Sequence, residues 1–287
     1  MYAILDGLTA ERRAGLVFVD SSGHRRDYTF AEAADQSQRY AAVLRAIGVQ
    51  KGQFVAVCNA NTAKCIFLLL ALERLGAQPV LCGDDLTGEE LLARMQAFAV
   101  STVVTNRRGR RHVEWVQAFL PAGTRYVLVG EEHEKWARMD TLARSAKPYA
   151  ASSREPAAVG ARVRHIAHDL LQARTTDRVW STFPFGTDRW LTFAGAPLVC
   201  GAATIVHEGP FKAHERLDLL HELETTILCQ TAHEYAALLD AGVGADGVRL
   251  PRLRRCIASD GFPELTARWQ QATGKVLHLA AVGTLQL

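Results

Sequence analysis

Short apolar runs alternate with amphipathic stretches along almost all of the 287-residue chain, and this alternation limits the fold more than any single motif. "QFVAVCNA" (Gln53–Ala60) is almost continuously apolar, as a parallel strand covered on both faces must be. "TAKCIFLLLALERLG" follows and reads as a buried helix closed by Gly76. "AQPVLCG" reads as the next strand, "TGEELLARMQAFA" as a helix and "VSTVVTN" as a further strand. The connections are short. Such a pattern predicts mostly parallel sheets with helices on both faces, a doubly wound α/β fold.

The helix starts are marked as well. Thr29 is placed to cap a helix from about Phe30 to Ile47, with Glu32 at the third position completing a capping box. Thr87 and Glu90 repeat the arrangement. "RRDYT" supplies a short strand before the first of these helices. Beyond residue 106, "VEWVQAFL" reads as a helix, "RYVLVG" as a strand and "WARMDTLARSA" as a helix. Lys147–Ala161, "KPYAASSREPAAVGA", is polar and rich in breakers. It divides a first lobe, residues 1–150, from a second, residues 151–287. In the second lobe the alternation resumes at "RVRHIAHDLLQAR" and runs through "RVWSTFPF", "ATIVHE", "TTILCQT" and "LRRCIAS" to a last strand, "KVLHLAAVG".

Composition excludes several classes. The chain is 48% hydrophobic and 22% charged with a formal net charge of +3, which points to no nucleic-acid partner. The densest basic run, "NRRGRRH" (Asn106–His112), reads as a solvated loop, with a phosphate-binding patch as the functional alternative. "CIFLLLAL" is too short to cross a bilayer. The first residues lack a charged-then-apolar leader pattern, so a cytoplasmic location is expected. The six cysteines are scattered without a CxxC pair, the usage of small buried hydrophobes in a reducing compartment.

In order along the chain, "YTFAE", "GVQKGQFVAV", "LALERLGAQPV", "LTGEELLARM", "DRVWSTFPF", "PLVCGAATIVHE" and "LRRCIASDGFPELTARWQQATGKVL" resemble the large N-terminal domain of adenylate-forming enzymes of the acyl-CoA synthetase type. The resemblance implies two doubly wound lobes and, in the family, ATP-dependent activation of a carboxylate. That chemistry uses a Gly/Ser/Thr-rich phosphate loop. It also uses an aromatic–Gly–x–Thr–Glu motif whose Glu holds Mg²⁺, a later ribose-binding Asp, and a Lys from a small mobile domain.

The sequence departs from this set. Where the phosphate loop should stand there is "REPAAVGARVRH", with one glycine and no Ser or Thr after Ser153. The adenylate motif falls in register on Ala281, Val282, Gly283, Thr284 and Leu285, so that only Thr284 is kept and Leu285 replaces the metal-binding carboxylate. The chain stops before the later Asp and Lys, and the family's β-barrel and mobile domain have no counterpart in it. Thr187 stands near a position where the family often has His, and "SDGFP" replaces its Gly–Glu–Pro-like turn. The resemblance therefore makes Thr187, Asp188, Trp190, Asp260, Gly261, Phe262 and Thr284 pocket candidates. Trp190 reads more readily as core or helix-start packing than as pocket lining.

From these departures the expected protein is a shortened, degenerate ligase homologue that binds without adenylating and needs neither ATP nor Mg²⁺. An acyl group, an acyl carrier protein or a partner enzyme would be its ligand, and the oligomeric state stays open. Two alternatives stand beside it. One is an acyl-thioester hydrolase or transferase drawing on His165, His168, Asp188, His207, His214, His233, Asp260 or a cysteine. The other is a split ligase completed by a partner subunit, with an exposed apolar surface at Leu285–Leu287. "HIAH" sets two histidines three residues apart, but no accompanying motif makes it a metal site.

Overall fold

The computed structural model describes residues 1–58, 62–83, 85–131, 133–150, 163–244, 249–261 and 263–280. They form two compact units, one from Met1–Ala14, Tyr28–Ala158 and Phe185–Thr187, the other from Gly15–Asp27, Val159–Pro184 and Asp188–Leu287. Each is an α/β unit around its own sheet. Neither is a continuous half of the chain, since Gly15–Asp27 joins the second unit and Phe185–Thr187 the first.

The first unit contains α1 (Tyr2–Gly7), α2 (Phe30–Ala46), β3 (Phe54–Cys58), α3 (Ala63–Leu75), β4 (Gln78–Leu81), α4 (Gly88–Ala97), β5 (Thr102–Asn106), α5 (Arg110–Val116), β6 (Arg125–Val129), β7 (Ala137–Arg138) and α6 (Met139–Ser145). Its five strands lie in the order β4-β3-β5-β6-β7, all pairs parallel. The caps read from sequence are present. Thr29 accepts from Glu32 N while Glu32 reaches back to Thr29 N, and Thr87 and Glu90 do the same. Gly76 ends α3 at φ +68, a conformation that favours glycine.

One side of this unit's core packs Val80, Met95, Val103, Val116, Leu128 and Trp136 together. Elsewhere in the core the Phe67 ring meets Tyr28 and Tyr40 edge-on at 5.1 and 6.4 Å. Asp140 ties α6 to its neighbours by accepting from Tyr40 Oη (2.6 Å), Lys64 Nζ (2.9 Å) and Gly130 N (2.6 Å).

The second unit contains β1 (Ala14–Val19), β2 (Arg25–Thr29), β8 (Arg178–Ser181), α7 (Asp188–Val199), β9 (Ala203–His207), α8 (Ala213–Glu222), β10 (Ile227–Gln230), α9 (Ala232–Asp240), β11 (Arg255–Ala258), α10 (Pro263–Thr273) and β12 (Leu277–Leu279). Its strand order is β12-β11-β10-β8-β9-β1-β2, with parallel pairing from β12 to β1. β1 and α1 lie ahead of the first element read from the sequence. Trp136–Arg138, read as helix, is instead the approach to β7 and β7 itself. The helix read at "RVRHIAHDLLQAR" is helical over its described residues 163–165 and passes into a π-helical turn over Ile166–Leu170.

At the amino edge of this sheet Asp177, 3% exposed, accepts from Arg254 Nε and Nη2, Thr226 Oγ1 and Arg174 N. Burial pushes its carboxyl up, but the hydrogen bonds from Arg254 and Thr226 outweigh burial and hold it below the ordinary carboxylate value. A carboxyl depressed on folding stabilises the native state above its unfolded value, about 3.9. That contribution is lost as pH falls through the folded value. Asp177→Asn should therefore lower stability at neutral pH by about 2–3 kcal/mol and flatten the acid side of the stability profile below about pH 4. Urea unfolding from pH 2 to 7 measures both.

Candidate functional site

In the second sheet the chain passes from β8 to β9 on one side and then places β10 on the other. The strand order reverses between β8 and β10, and ligands of open α/β sheets bind at the carboxyl ends of strands beside such a reversal. Here those ends are Ser181 and Gln230, with Ser259–Gly261 following β11.

Polar groups collect at this edge. Glu234, in the first turn of α9, completes a capping box with Thr231. Its Oε2 accepts from Thr182 Oγ1 (2.8 Å), Thr231 N (3.0 Å) and Thr231 Oγ1 (3.2 Å). Its Oε1 lies 3.9 Å from Arg216 Nη1. The Arg216 guanidinium, 4% exposed, rests over the Trp180 ring at 4.4 Å and the Phe211 ring at 5.0 Å. Burial pulls its pKa down to about 10 against the favourable charge of Glu234, so the group stays cationic at pH 7.

Three polar side chains here are incompletely paired among the described residues. Gln230 is wholly buried with neither amide atom hydrogen-bonded, and the Ser181 hydroxyl and Arg216 Nη1 also lack hydrogen-bond partners. Buried polar atoms are nearly always paired, so such a group calls for a polar occupant or water. Register sets Val179 opposite Ile227 and hence Thr182 beside Gln230. The unsatisfied amide therefore adjoins the Thr182–Glu234–Arg216 network.

Asp260 and Gly261, two of the sequence candidates, lie at this edge. Asp260 Oδ1 accepts from Ser259 Oγ at 2.6 Å and Ala232 N at 3.3 Å. The Ser259 hydroxyl, then the Ala232 amide, hold its carboxyl below the ordinary value. Gly261 abuts Leu279 so closely that an added Cβ would fall 2.8 Å from Leu279 Cδ2. Thr187 is exposed and belongs to the first unit. Trp190 is 1% exposed, a core side chain. Phe262 and Thr284 lie outside the described residues, as does the side chain of Asp188. So do residues 151–162, where the family's phosphate loop would stand, and Leu285–Leu287. Arg216, Glu234, Gln230 and Thr182 were not singled out by sequence. The Thr231–x–x–Glu234 capping signature was the available signal.

The groups considered for acyl-thioester chemistry are dispersed. His165 pairs with Asp169 at 2.5 Å on an exposed surface, and His214 and His233 are exposed. His168 holds both ring nitrogens 3.8 and 3.9 Å from Cys200 Sγ, presenting no single nitrogen to it. Burial and then Asp177 push the Cys200 thiol up. Burial, with Arg216 beside it, pulls His207 down to about 4, so it is neutral at pH 7. Among the described residues no group of three His, Cys, Asp or Glu side chains could hold a metal ion. No helix among them is long and apolar enough to cross a membrane.

The family model "AMP-binding enzyme" matches residues 8–160. An uncharacterized acyl–CoA ligase, YtcI, of Bacillus subtilis is 21% identical over 79% of this chain and 47% of its own length. A 4-chlorobenzoate–CoA ligase from Arthrobacter sp. is 35% identical over 33% of this chain and 18% of its own. The mouse mitochondrial acyl-coenzyme A synthetase ACSM4 is 23% identical over 96% of this chain and 53% of its own. The chain thus spans about half the length of the relatives that match most of it. Among solved structures, the acyl-CoA synthetase of Brucella canis matches at TM-score 0.86 and 21% identity, over 96% of this chain and 56% of that one.

Truncating one member of a buried charge pair leaves the other charge unpaired, at about 3–5 kcal/mol, whereas replacing both is often near neutral. Glu234→Ala should accordingly destabilise the protein by about 3 kcal/mol or more. The double variant Arg216→Met/Glu234→Gln should lie much closer to the native protein. Denaturant midpoints of the three proteins decide this.

Proposed function

The chain belongs to the AMP-binding enzyme family, and from that premise we propose that it is a non-adenylating member, which binds an acyl group or its carrier without activating a carboxylate. Its setting would be acyl metabolism of the fatty-acid or polyketide kind in the cytoplasm, with an acyl carrier protein or a partner biosynthetic enzyme as the macromolecular contact. ATP and Mg²⁺ have no part in this reading.

The observation that carries it is the stretch Arg154–His165, which has one glycine, Gly160, and neither Ser nor Thr. Adenylation expels pyrophosphate from ATP, and negative charge shifts onto the departing oxygens. That step is fast only where donors and a metal ion are already aimed at those oxygens. A sequence without Ser or Thr hydroxyls and nearly without glycine supplies few of them. Leu285, in place of a carboxylate, supplies no metal ligand. The polar edge around Gln230, Thr182 and Asp260 supports the remaining part of the reading. It offers hydrogen-bond partners to a carbonyl or amide.

Titration calorimetry should show no saturable Mg-ATP binding, and a panel of carboxylic acids should give no pyrophosphate exchange. Clear exchange by the protein alone would defeat the proposal. Leu285→Glu alone should not create Mg-ATP binding, because one carboxylate does not replace a phosphate loop. A panel of acyl thioesters, free and on a carrier protein, should contain at least one saturable ligand. Failure of every one would remove the binding role.

A further inference from the structure

β3 and β4 are parallel neighbours with Val57 opposite Leu81. One residue further on, each strand is followed through the same register by a cysteine, Cys58 and Cys82, and Cys82 N still donates to Val57 O at 3.0 Å. Laterally paired residues point to the same face, on strands about 4.8 Å apart. That spacing lies within the Cα separation of about 4.4–6.8 Å that a disulfide spans. Both cysteines are buried, at 4% and 1% exposure, and the Cys58 thiol is hydrogen-bonded to the Cys82 sulfur.

The other cysteines do not repeat this. Cys229 and Cys256 also sit on neighbouring strands, but Leu228 is opposite Cys256 and Cys229 opposite Ile257. That offset of one residue turns their side chains to opposite faces. Burial pushes Cys65, Cys229 and Cys256 up, the last to about 12. Cys82 moves the other way. The hydrogen bond from Cys58 lowers it, burial opposes and the nearby Arg94 cation assists, with a net value below that of an ordinary thiol. Arg94 is fixed there by donating to Leu81 O at 2.8 Å.

We propose that Cys58 and Cys82 are a modification site, a dithiol that hydrogen peroxide converts to a reversible disulfide at the carboxyl edge of the first unit's sheet. The Cys82 thiolate attacks one peroxide oxygen and the O–O bond breaks. Cys82 becomes a sulfenic acid and the other oxygen leaves as water once protonated. The Cys58 sulfur then attacks the sulfenic sulfur, the S–O bond breaks, and a second water departs with the Cys58 proton. The two sulfurs lose two electrons and the two peroxide oxygens gain them.

The bond would act on the segment beside it. Gly186, at φ +91, lies so close to the Cys82–Gly83 main chain that a Cβ on it would fall 2.6 Å from Gly83 N. A Cβ on Gly83 would fall 2.9 Å from Phe185 O. Drawing Cys82 toward Cys58 shifts the main chain on which Phe185 and Gly186 rest, next to Thr187.

The whole protein, reduced and freed of reductant, is treated with hydrogen peroxide, alkylated in denaturant and peptide-mapped. Two of the six thiols should be lost, with a Cys58–Cys82 cross-linked peptide lighter by two hydrogens and restored by dithiothreitol. In Cys58→Ser, and again in Cys58→Ala, dimedone should trap the Cys82 sulfenic acid and no cross-link should form. Amide exchange at Gly186 should differ between oxidised and reduced native protein and not in either variant. Retention of all six thiols, a cross-link through another pair, or no dimedone adduct at Cys82 in both variants overturns the proposal. Unchanged exchange at Gly186 in the cross-linked protein overturns its coupling to the neighbouring segment.

Discussion

The second unit's sheet depends on the carboxylate of Asp177. It receives two hydrogen bonds from Arg254, one from Thr226 and one from the Arg174 main chain, and thereby fixes where β8, β10 and β11 begin relative to one another. Thr226 Oγ1 also accepts from Arg178 N. A parallel sheet has no tight turns to set its register, and a one-residue slip would turn every side chain to the other face. The position of Gln230 beside Thr182, at the far end of the strands, follows from contacts at the near end. A substitution at Asp177 would thus be felt at the polar edge without touching it.

The strand–helix alternation was legible because a parallel strand must be apolar on both faces, and β3, β5 and β10 are buried over nearly their full length. Caps at Thr29 and Thr87 were legible because the capping box is a local device, complete within four residues. β1 was not legible. "AGLVFV" pairs with Thr204–His207, almost two hundred residues away, and nothing local signals such a partner. For the same reason the division into two continuous lobes could not foresee that Gly15–Asp27 joins the second unit.

The candidate edge was half legible. The turn containing Asp260 and Gly261 could be placed through its resemblance to a family turn. Arg216 could not, since an arginine on an amphipathic helix is by default read as solvated. Its neighbours Leu217 and Leu220 are buried, and the guanidinium enters the interior with them because Trp180 and Phe211 offer it aromatic faces and Glu234 a counter-charge. A charged residue on the buried face of a helix becomes visible only once the partner helix is in place.

The two sheets share one winding rule yet finish their carboxyl edges differently. In the first unit most of the polar groups there are paired, Arg110 Nε being an exception. Asp140 takes the Gly130 amide, Thr105 Oγ1 donates to Cys58 O, and Asn106 Oδ1 accepts from Arg108 N and Gly109 N. In the second, Gln230, Ser181 and one Arg216 nitrogen are left without hydrogen-bond partners among the described residues. Leaving a buried donor or acceptor unpaired costs about 1–3 kcal/mol, and the interior of a helix–sheet unit is readily filled with apolar side chains instead. A fold serving only as scaffold has no reason to carry that cost at the one edge where such sheets take ligands. The unpaired groups therefore mark the second unit's carboxyl edge as the place in that unit where a polar ligand would be accommodated.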